Sequence, residues 1–248
     1  MKTVLITGCS SGFGLEIARH FLEQGWQVIA TMRAPRADLL PPSERLRVLA
    51  LDVTDPQSIR RAVETAGPID VLVNNAGFGA AAPFEAMPVA TVREIFDTNT
   101  FGTMALTQAV LPQFRQRRSG VVINITSSVT YKALPLLSAY RASKAAVNAF
   151  TESLAEEVKQ FGVRAHLVLP GRSPETRFAD NAQSHTAGLD HAAYAELVTA
   201  LFASFSEAGP VTYSQDVAQA VWRAATDPSS PMRIPAGADA ELWAAEQQ

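Results

Sequence analysis

The sequence predicts an α/β fold: a doubly wound parallel sheet with helices on both faces. Three observations predict it. Short apolar runs rich in β-branched residues recur along the 248 residues, longer stretches of helical character separate them, and no Pro/Gly/Ser-rich linker interrupts the series. The runs are Val4-Leu5-Ile6, Val28-Ile29-Ala30, Val48-Leu49-Ala50-Leu51, Val71-Leu72-Val73, Val121-Val122-Ile123 and Ala165-His166-Leu167-Val168-Leu169. Continuous apolar runs of this length read as strands buried on both faces. The intervening segments Gly14 to Gln24, Pro56 to Ala66, Val89 to Arg117 and Ser138 to Phe161 read as helices, with Gly25 and Gly162 as stops. Alternation of strand and helix calls for a parallel sheet, and the right hand of its crossovers places helices on both faces. One domain over residues 1–248 is the expectation. Residues 171–212 break the alternation around a helix near Ala192 to Ser206 and lie where a substrate lid would cover the carboxyl ends of the strands.

Bulk properties exclude several functions. With 47% hydrophobic and 18% charged residues the chain is globular, and a net charge of −3 gives no general attraction to nucleic acid or membrane. The basic run Arg115-Gln116-Arg117-Arg118 suits a helix C-terminus. Cys9 is the single cysteine, so neither an intrachain disulfide nor a cysteine metal cluster is possible. The four histidines, His20, His166, His185 and His191, show no metal-ligand grouping, and no metal is expected. No apolar stretch is long enough to span a bilayer, and a cytoplasmic protein is the expectation.

The first strand runs into Thr7-Gly8-Cys9-Ser10-Ser11-Gly12-Phe13-Gly14, which opens the first helix. Glycine allows close backbone approach, and a helix N-terminus offers unpaired N–H groups to an anion. Strand, glycine turn and helix make a phosphate seat. The other reading is a tight turn that binds nothing; its place at the first strand–helix junction favours binding. After the second strand comes Ala30-Thr31-Met32-Arg33-Ala34-Pro35-Arg36, with no carboxylate before Asp38. A carboxylate there would suit ribose hydroxyls and repel a 2′-phosphate, whereas Arg33 pairs with that phosphate in a forked contact. NADP(H) is therefore favoured over NAD(H).

Tyr140 and Lys144 stand one helical turn apart in Tyr140-Arg141-Ala142-Ser143-Lys144, on a common face. An ammonium beside a phenol lowers its pKa and readies it for proton transfer near neutrality. Taken alone, the pair reads better as a surface contact between residues four apart on a helix. Ser127 ends one strand and Asn74-Asn75-Ala76-Gly77 ends another, where such a sheet presents functional side chains. Asn99, a poor helix former inside a long helical region, marks a local distortion suited to holding a water.

These motifs, in this order, resemble the short-chain dehydrogenase/reductase family from Thr3 to about Gly237. Pro170-Gly171 and the spacing of thirteen residues from Ser127 to Tyr140 add to the likeness. The resemblance implies a Rossmann-like domain with a seven-stranded parallel sheet. It implies hydride exchange between NADP(H) and a ketone, aldehyde or secondary alcohol. It also implies roles: Tyr140 as general acid/base, Ser127 polarising the carbonyl, Lys144 binding the nicotinamide ribose and tuning Tyr140, and Asn99 holding a water in a proton relay. The cofactor groove would use Gly8, Ser10, Ser11, Gly12, Phe13, Gly14, Arg33, Asp52, Val53, Asn75, Ala76, Gly77, Tyr140, Lys144, Pro170, Gly171, Ser173 and Thr176. Asp52 lies beside the adenine in this correspondence, and Met32 falls where NAD-dependent relatives carry aspartate. Relatives pair through the helices equivalent to Val89–Arg117 and Ser138–Phe161, so a homodimer or homotetramer is expected. The competing readings are an NAD(H)-dependent alcohol dehydrogenase of the same fold and a dinucleotide-binding regulator without turnover. The acid–base set argues against the regulator, which needs none of it.

The sequence departs from the family pattern in two places. The family places threonine or serine four residues after the glycine of Pro170-Gly171; here Glu175 stands there and Thr176 follows, with Ser173 as the alternative contact to the nicotinamide. Glycine is frequent three residues after the catalytic serine; here it is Thr130, followed by Tyr131. Leu134, Leu136, Leu137, Phe178, Leu197, Leu201 and Phe205 are either ordinary core or the wall of a pocket for a bulky lipophilic substrate. The ending Met232 to Ala240 is similar to that of the family's steroid- and retinoid-type members.

Overall fold

The computed structural model describes residues 1–176, 188–206 and 209–247. Their strands are β1 (Thr3–Ile6), β2 (Gln27–Met32), β3 (Leu46–Ala50), β4 (Val71–Asn74), β5 (Gly120–Ile125), β6 (Val163–Pro170) and β7 (Arg233–Ala236). All pair in parallel, in the order β3-β2-β1-β4-β5-β6-β7. Chain order reverses between β1 and β4, the switch point where such sheets open a crevice for ligands. The apolar runs thus become the sheet. β7 is the strand that the apolar runs do not show, because its sequence Arg233-Ile234-Pro235-Ala236 is short and carries a proline. Its place at the sheet edge tolerates the missing N–H.

Helices cover both faces. They are α1 (Gly12–Glu23), α2 (Pro56–Ala66), α3 (Val89–Phe96), α4 (Thr103–Arg117), α5 (Ser138–Lys159), α6 (Ala195–Ser206), α7 (Ser214–Thr226) and α8 (Ala238–Ala245). Along β1 successive side chains point to opposite faces. Val4 and Ile6 therefore join Ile17 and Phe21 of α1 and Val217 and Val221 of α7 in one core. Leu5 joins Ile59 of α2, Leu106, Val110 and Phe114 of α4, and Leu154 of α5 in the other. Phe21, Trp26 and Trp222 meet edge to face, with centroids 5.1–5.5 Å apart, and fasten α1 to α7.

The expected helix Val89–Arg117 is three pieces in continuous succession. Between α3 and α4 the residues Asp97–Gly102 form a π-helical turn, and Asn99 lies inside it. The distortion read from this asparagine is therefore present. The basic run ends α4: Arg118 is its left-handed cap with φ 51°, and its guanidinium donates to the Gln160 carbonyl at 2.7 Å. Gly25 and Gly162, with φ of 81° and 68°, follow α1 and α5 as expected stops. The helix near Ala192 to Ser206 begins as a 3-10 turn, Ala192–Tyr194, and continues as α6. Residues 171–212 do not detach at their ends: the Thr212 N–H donates to the Arg172 carbonyl at 2.8 Å. Phe178, His185 and the side chain of Phe205 lie outside the described residues. No helix among the described residues is long and apolar enough to cross a membrane.

Candidate active site

The glycine loop leaves β1 beneath the switch point. Gly8 takes φ 73°, and Gly14 lies so close to the chain that a β-carbon would fall 2.3 Å from the Gly8 carbonyl oxygen and 2.5 Å from Asn75 Nδ2. Only glycine fits that approach. Thr7 and Asn75 weld the loop to the end of β4. Thr7 Oγ1 accepts from the N–H groups of Asn75 and Ala76 at 2.9 and 2.8 Å, and Asn75 Nδ2 donates to the Thr7 carbonyl at 2.8 Å. Cys9, a residue of this loop, is buried, and burial pushes its thiol up to about 12, which leaves it an inert packing residue.

From β4 the contacts run on to the helices. A β-carbon on Gly77 would stand 2.9 Å from Asn99 Oδ1 and 3.3 Å from Lys144 Nζ. The Asn99 amide is fully engaged. It donates to the Phe78 carbonyl at 2.9 Å and to Ser143 Oγ at 3.1 Å, and accepts from the Phe78 N–H at 3.0 Å. The Asn99 side chain therefore holds the Gly77-Phe78 backbone against α5, and the Asn99 main-chain carbonyl accepts from Thr103 Oγ1 at 2.9 Å.

Tyr140 and Lys144 share the face of α5 turned toward the end of β5, and both are buried. Lys144 Nζ donates to the Ile125 carbonyl at 3.0 Å, two residues before Ser127. Ser127 stands near enough to the Tyr140 phenol to pull its pKa down. The expected lowering of the tyrosine by the lysine is not what this geometry gives. Burial pushes Tyr140 up to about 12, against a smaller downward pull from Ser127. Burial likewise brings Lys144 down to about 8. Each buried group favours its neutral form.

The remaining expected residues lie around the same crevice. Arg33 is exposed at the end of β2, while Met32 beside it is buried in the core. Asp52 is held below its ordinary value mainly by two hydrogen bonds from Thr54, with Arg33 contributing electrostatically, so the carboxylate and the arginine share one side of the molecule. Val53 is buried against Gly102 of the π turn. Thr176 packs over the glycine loop, with its Cβ 3.5 Å from where a β-carbon of Gly12 would be, and its hydroxyl donates to the Ser173 carbonyl at 3.0 Å. Glu175, the departure from the family pattern, accepts from the Ser214 N–H at the start of α7.

Two residues without a sequence signal organise the exit from β6. Asp239 accepts from the Arg172 N–H at 2.6 Å and from Thr212 Oγ1 at 2.7 Å. Thr212 Oγ1 accepts in turn from the Gly171 N–H at 2.9 Å. Arg141 is a third such residue: its guanidinium reaches the turn that follows Ser127. These residues lack any local motif, since their partners are distant in sequence.

The crevice suits a dinucleotide on two grounds. Ser11 caps α1 without using its side chain, so it does not occupy the N–H groups of the first turn that a phosphate would use. Ser173 Oγ is buried with no hydrogen-bond partner among the described residues, so a polar group is lacking beside Thr176 and the glycine loop. Among the described residues no cluster of three or more His, Cys, Asp or Glu could hold a metal ion.

Sheet order and glycine loop define the class: a doubly wound α/β protein of the kind that holds dinucleotides at this switch point. A family model described as short chain dehydrogenase matches residues 2–187. The chain belongs to that family of oxidoreductases. It is 40% identical to retinol dehydrogenase 8 of Bos taurus over 182 residues, covering 68% of this chain and 58% of that protein. The chain thus spans less than two thirds of that relative's length. A short-chain dehydrogenase from Streptomyces avermitilis superposes with a TM-score of 0.84 at 33% identity, covering 99% of this chain and 91% of the other. One from Burkholderia cenocepacia, solved in complex with NADP, gives 0.79 at 26% identity over 99% and 93%.

Proposed function

We propose that the chain exchanges hydride between NADP(H) and a ketone, aldehyde or secondary alcohol. The observation that carries this reading is the unbroken set of contacts from the glycine loop through Asn75 and Gly77 to Lys144, Tyr140 and Ser127. On this reading the acid–base group faces the crevice that suits the dinucleotide. When bound, the nicotinamide supplies the hydride. The chain's own groups handle the oxygen. With its pKa near 12, Tyr140 is protonated at neutral pH, the form that gives a proton to a carbonyl oxygen. The Ser127 hydroxyl stabilises charge gathering on that oxygen. Lys144, mostly cationic below about 8, favours the phenolate left behind. Burial of all three keeps competing water from the oxygen.

Arg33 supports the phosphorylated cofactor, as does the relative solved with NADP. The retinol dehydrogenase relative supports a lipophilic carbonyl substrate. Cytoplasmic location and a homodimer or homotetramer are parts of the same proposal, tested by cell fractionation and by light scattering on the eluting protein.

The test follows loss of NADPH absorbance against a panel of ketones and aldehydes, with NADH in parallel. Tyr140→Phe lowers kcat by about 10²–10⁴ and leaves NADPH affinity nearly unchanged. Arg33→Asp weakens NADPH by roughly 10–100-fold and spares NADH. Turnover that survives Tyr140→Phe overturns the mechanism, and an unaltered cofactor preference in Arg33→Asp overturns the cofactor choice.

A further inference from the structure

Ser127 and Tyr140 stand on different elements, so something must set their separation. Ser127 begins a 3-10 turn, Ser128–Thr130, at the end of β5, while Tyr140 lies in the first turn of α5. Arg141 follows Tyr140, and the 100° step of the helix turns its side chain away from the phenol. Its Nε donates to the Val129 carbonyl at 2.8 Å and its Nη2 to the Thr130 carbonyl at 3.3 Å. The guanidinium therefore spans from α5 to the turn directly after Ser127.

Thr130 completes the connection. Its hydroxyl donates to the Ser127 carbonyl at 2.8 Å, and its N–H donates to the same oxygen at 3.1 Å. The Val129 N–H donates to Ser127 Oγ at 3.3 Å. A glycine at position 130 would supply the backbone bond but not the hydroxyl. The rigid fork of arginine reaches both carbonyls at once, which a lysine does not.

We propose that Arg141 and Thr130 act together as a strut that fixes Ser127 against Tyr140, which makes them positioning residues for proton transfer. The inference rests on the reading of Tyr140 and Ser127 given above. Neither side chain needs to touch substrate. Their work is to keep two hydroxyls at the spacing a carbonyl oxygen requires, and small misplacements of reacting groups are costly.

Arg141→Met, Arg141→Lys, Thr130→Val and Thr130→Ser test this in the full chain. Arg141→Met lowers kcat by roughly 10- to 100-fold. NADPH affinity and carbonyl KM stay close to the wild type, since no cofactor contact is removed. Arg141→Lys restores part of kcat because it regains one carbonyl. Thr130→Val lowers kcat less than Arg141→Met, and Thr130→Ser returns it. Hydrogen exchange measured on the same proteins gives a readout independent of turnover: amides of residues 128–131 exchange faster in Arg141→Met, while those of β5 do not. Unchanged kcat with unchanged exchange in Arg141→Met overturns the strut. So does a loss shared equally by kcat, NADPH affinity and exchange throughout the sheet, which describes general destabilisation. Should the wild type reduce no carbonyl in the panel, the proposed function fails, and exchange at residues 128–131 alone decides whether the strut exists.

Discussion

The carboxyl edge of the sheet is tied together in two ways. On the β1–β4 side a loop of consecutive residues, Thr7 to Gly14, supplies both the proposed phosphate seat and its fastening to Asn75. On the β6 side the chain leaves through Pro170-Gly171-Arg172, and its fastenings come from Thr212 and Asp239, 41 and 67 residues further on. The first arrangement is built on one continuous loop, although its fastening to Asn75 reaches 67 and 68 residues along the chain, and it is rigid by steric exclusion. The second is assembled only when the C-terminal elements dock, and it is rigid by hydrogen bonding. Both regions exclude a β-carbon at their glycines, but one on Gly14 would meet the Gly8 carbonyl, a backbone atom, whereas one on Gly171 would meet the side-chain carboxylate of Asp239 at 2.1 Å, a partner that can be substituted at a graded cost.

The sharpest way to break that contrast is Gly14→Ala. The added carbon would meet the Gly8 carbonyl, a backbone atom with no rotamer to yield. A cost of about 3 kcal/mol, or roughly 5–10 °C in Tm, is expected for overpacking of this kind in a chain of this size. Loss of NADPH binding accompanies it, because the loop must move. Calorimetric scanning and cofactor titration check both. A variant with wild-type Tm and affinity would show that the loop is pliable and the contrast false.

Asp239→Ala probes the other region with a smaller effect. It leaves the Arg172 N–H without its acceptor and takes from the Thr212 hydroxyl one of its two, a loss of roughly 2 kcal/mol, or about 5 °C in Tm. The Thr212 bond to the Ala236 carbonyl at 2.9 Å remains, so the β6 exit keeps part of its anchorage. NADPH affinity therefore falls less than in Gly14→Ala. An equal or greater fall would show that the two sides act as one unit.

This contrast also explains what is legible in the sequence. The six apolar runs, the glycine loop and the Tyr140–Lys144 spacing are local patterns, and local patterns survive in a string of residues. Helix α7 is harder to read, because alanine and polar residues dominate Ser214 to Thr226. It becomes a core element only through Val217, Val221 and Trp222 meeting α1. Asp239, Thr212 and Arg141 are hidden for a related reason: each acts on backbone atoms of another segment, and backbone atoms leave no signature. Spacing alone misleads about the protonation state of Tyr140. A shared helix face gives proximity to Lys144, but burial acts on both groups, and the lysine donates to the Ile125 carbonyl instead.

Lys144 allows the finest test, since it belongs to the junction between the two regions. Burial lowers it from 10.5 to about 8. Below pH 8 both folded and unfolded chains carry the charge, and the cost of burying it is fully present. Between about pH 8 and the ordinary lysine value, the unfolded chain keeps a proton that the folded protein has released. Stability contributed by this group therefore rises with pH across that window. Lys144→Met removes the titration and leaves the Ile125 carbonyl without its donor, an offset that does not vary with pH. The expected outcome is a Tm difference, wild type minus variant, that grows as pH is raised from 8 to 10. Tyr140, raised from 10.0 to about 12, pulls the other way only above pH 10 and is present in both proteins, so it cancels within the window. A Tm difference that stays flat would mean that water reaches Lys144, and that the crevice is not closed around the acid–base pair.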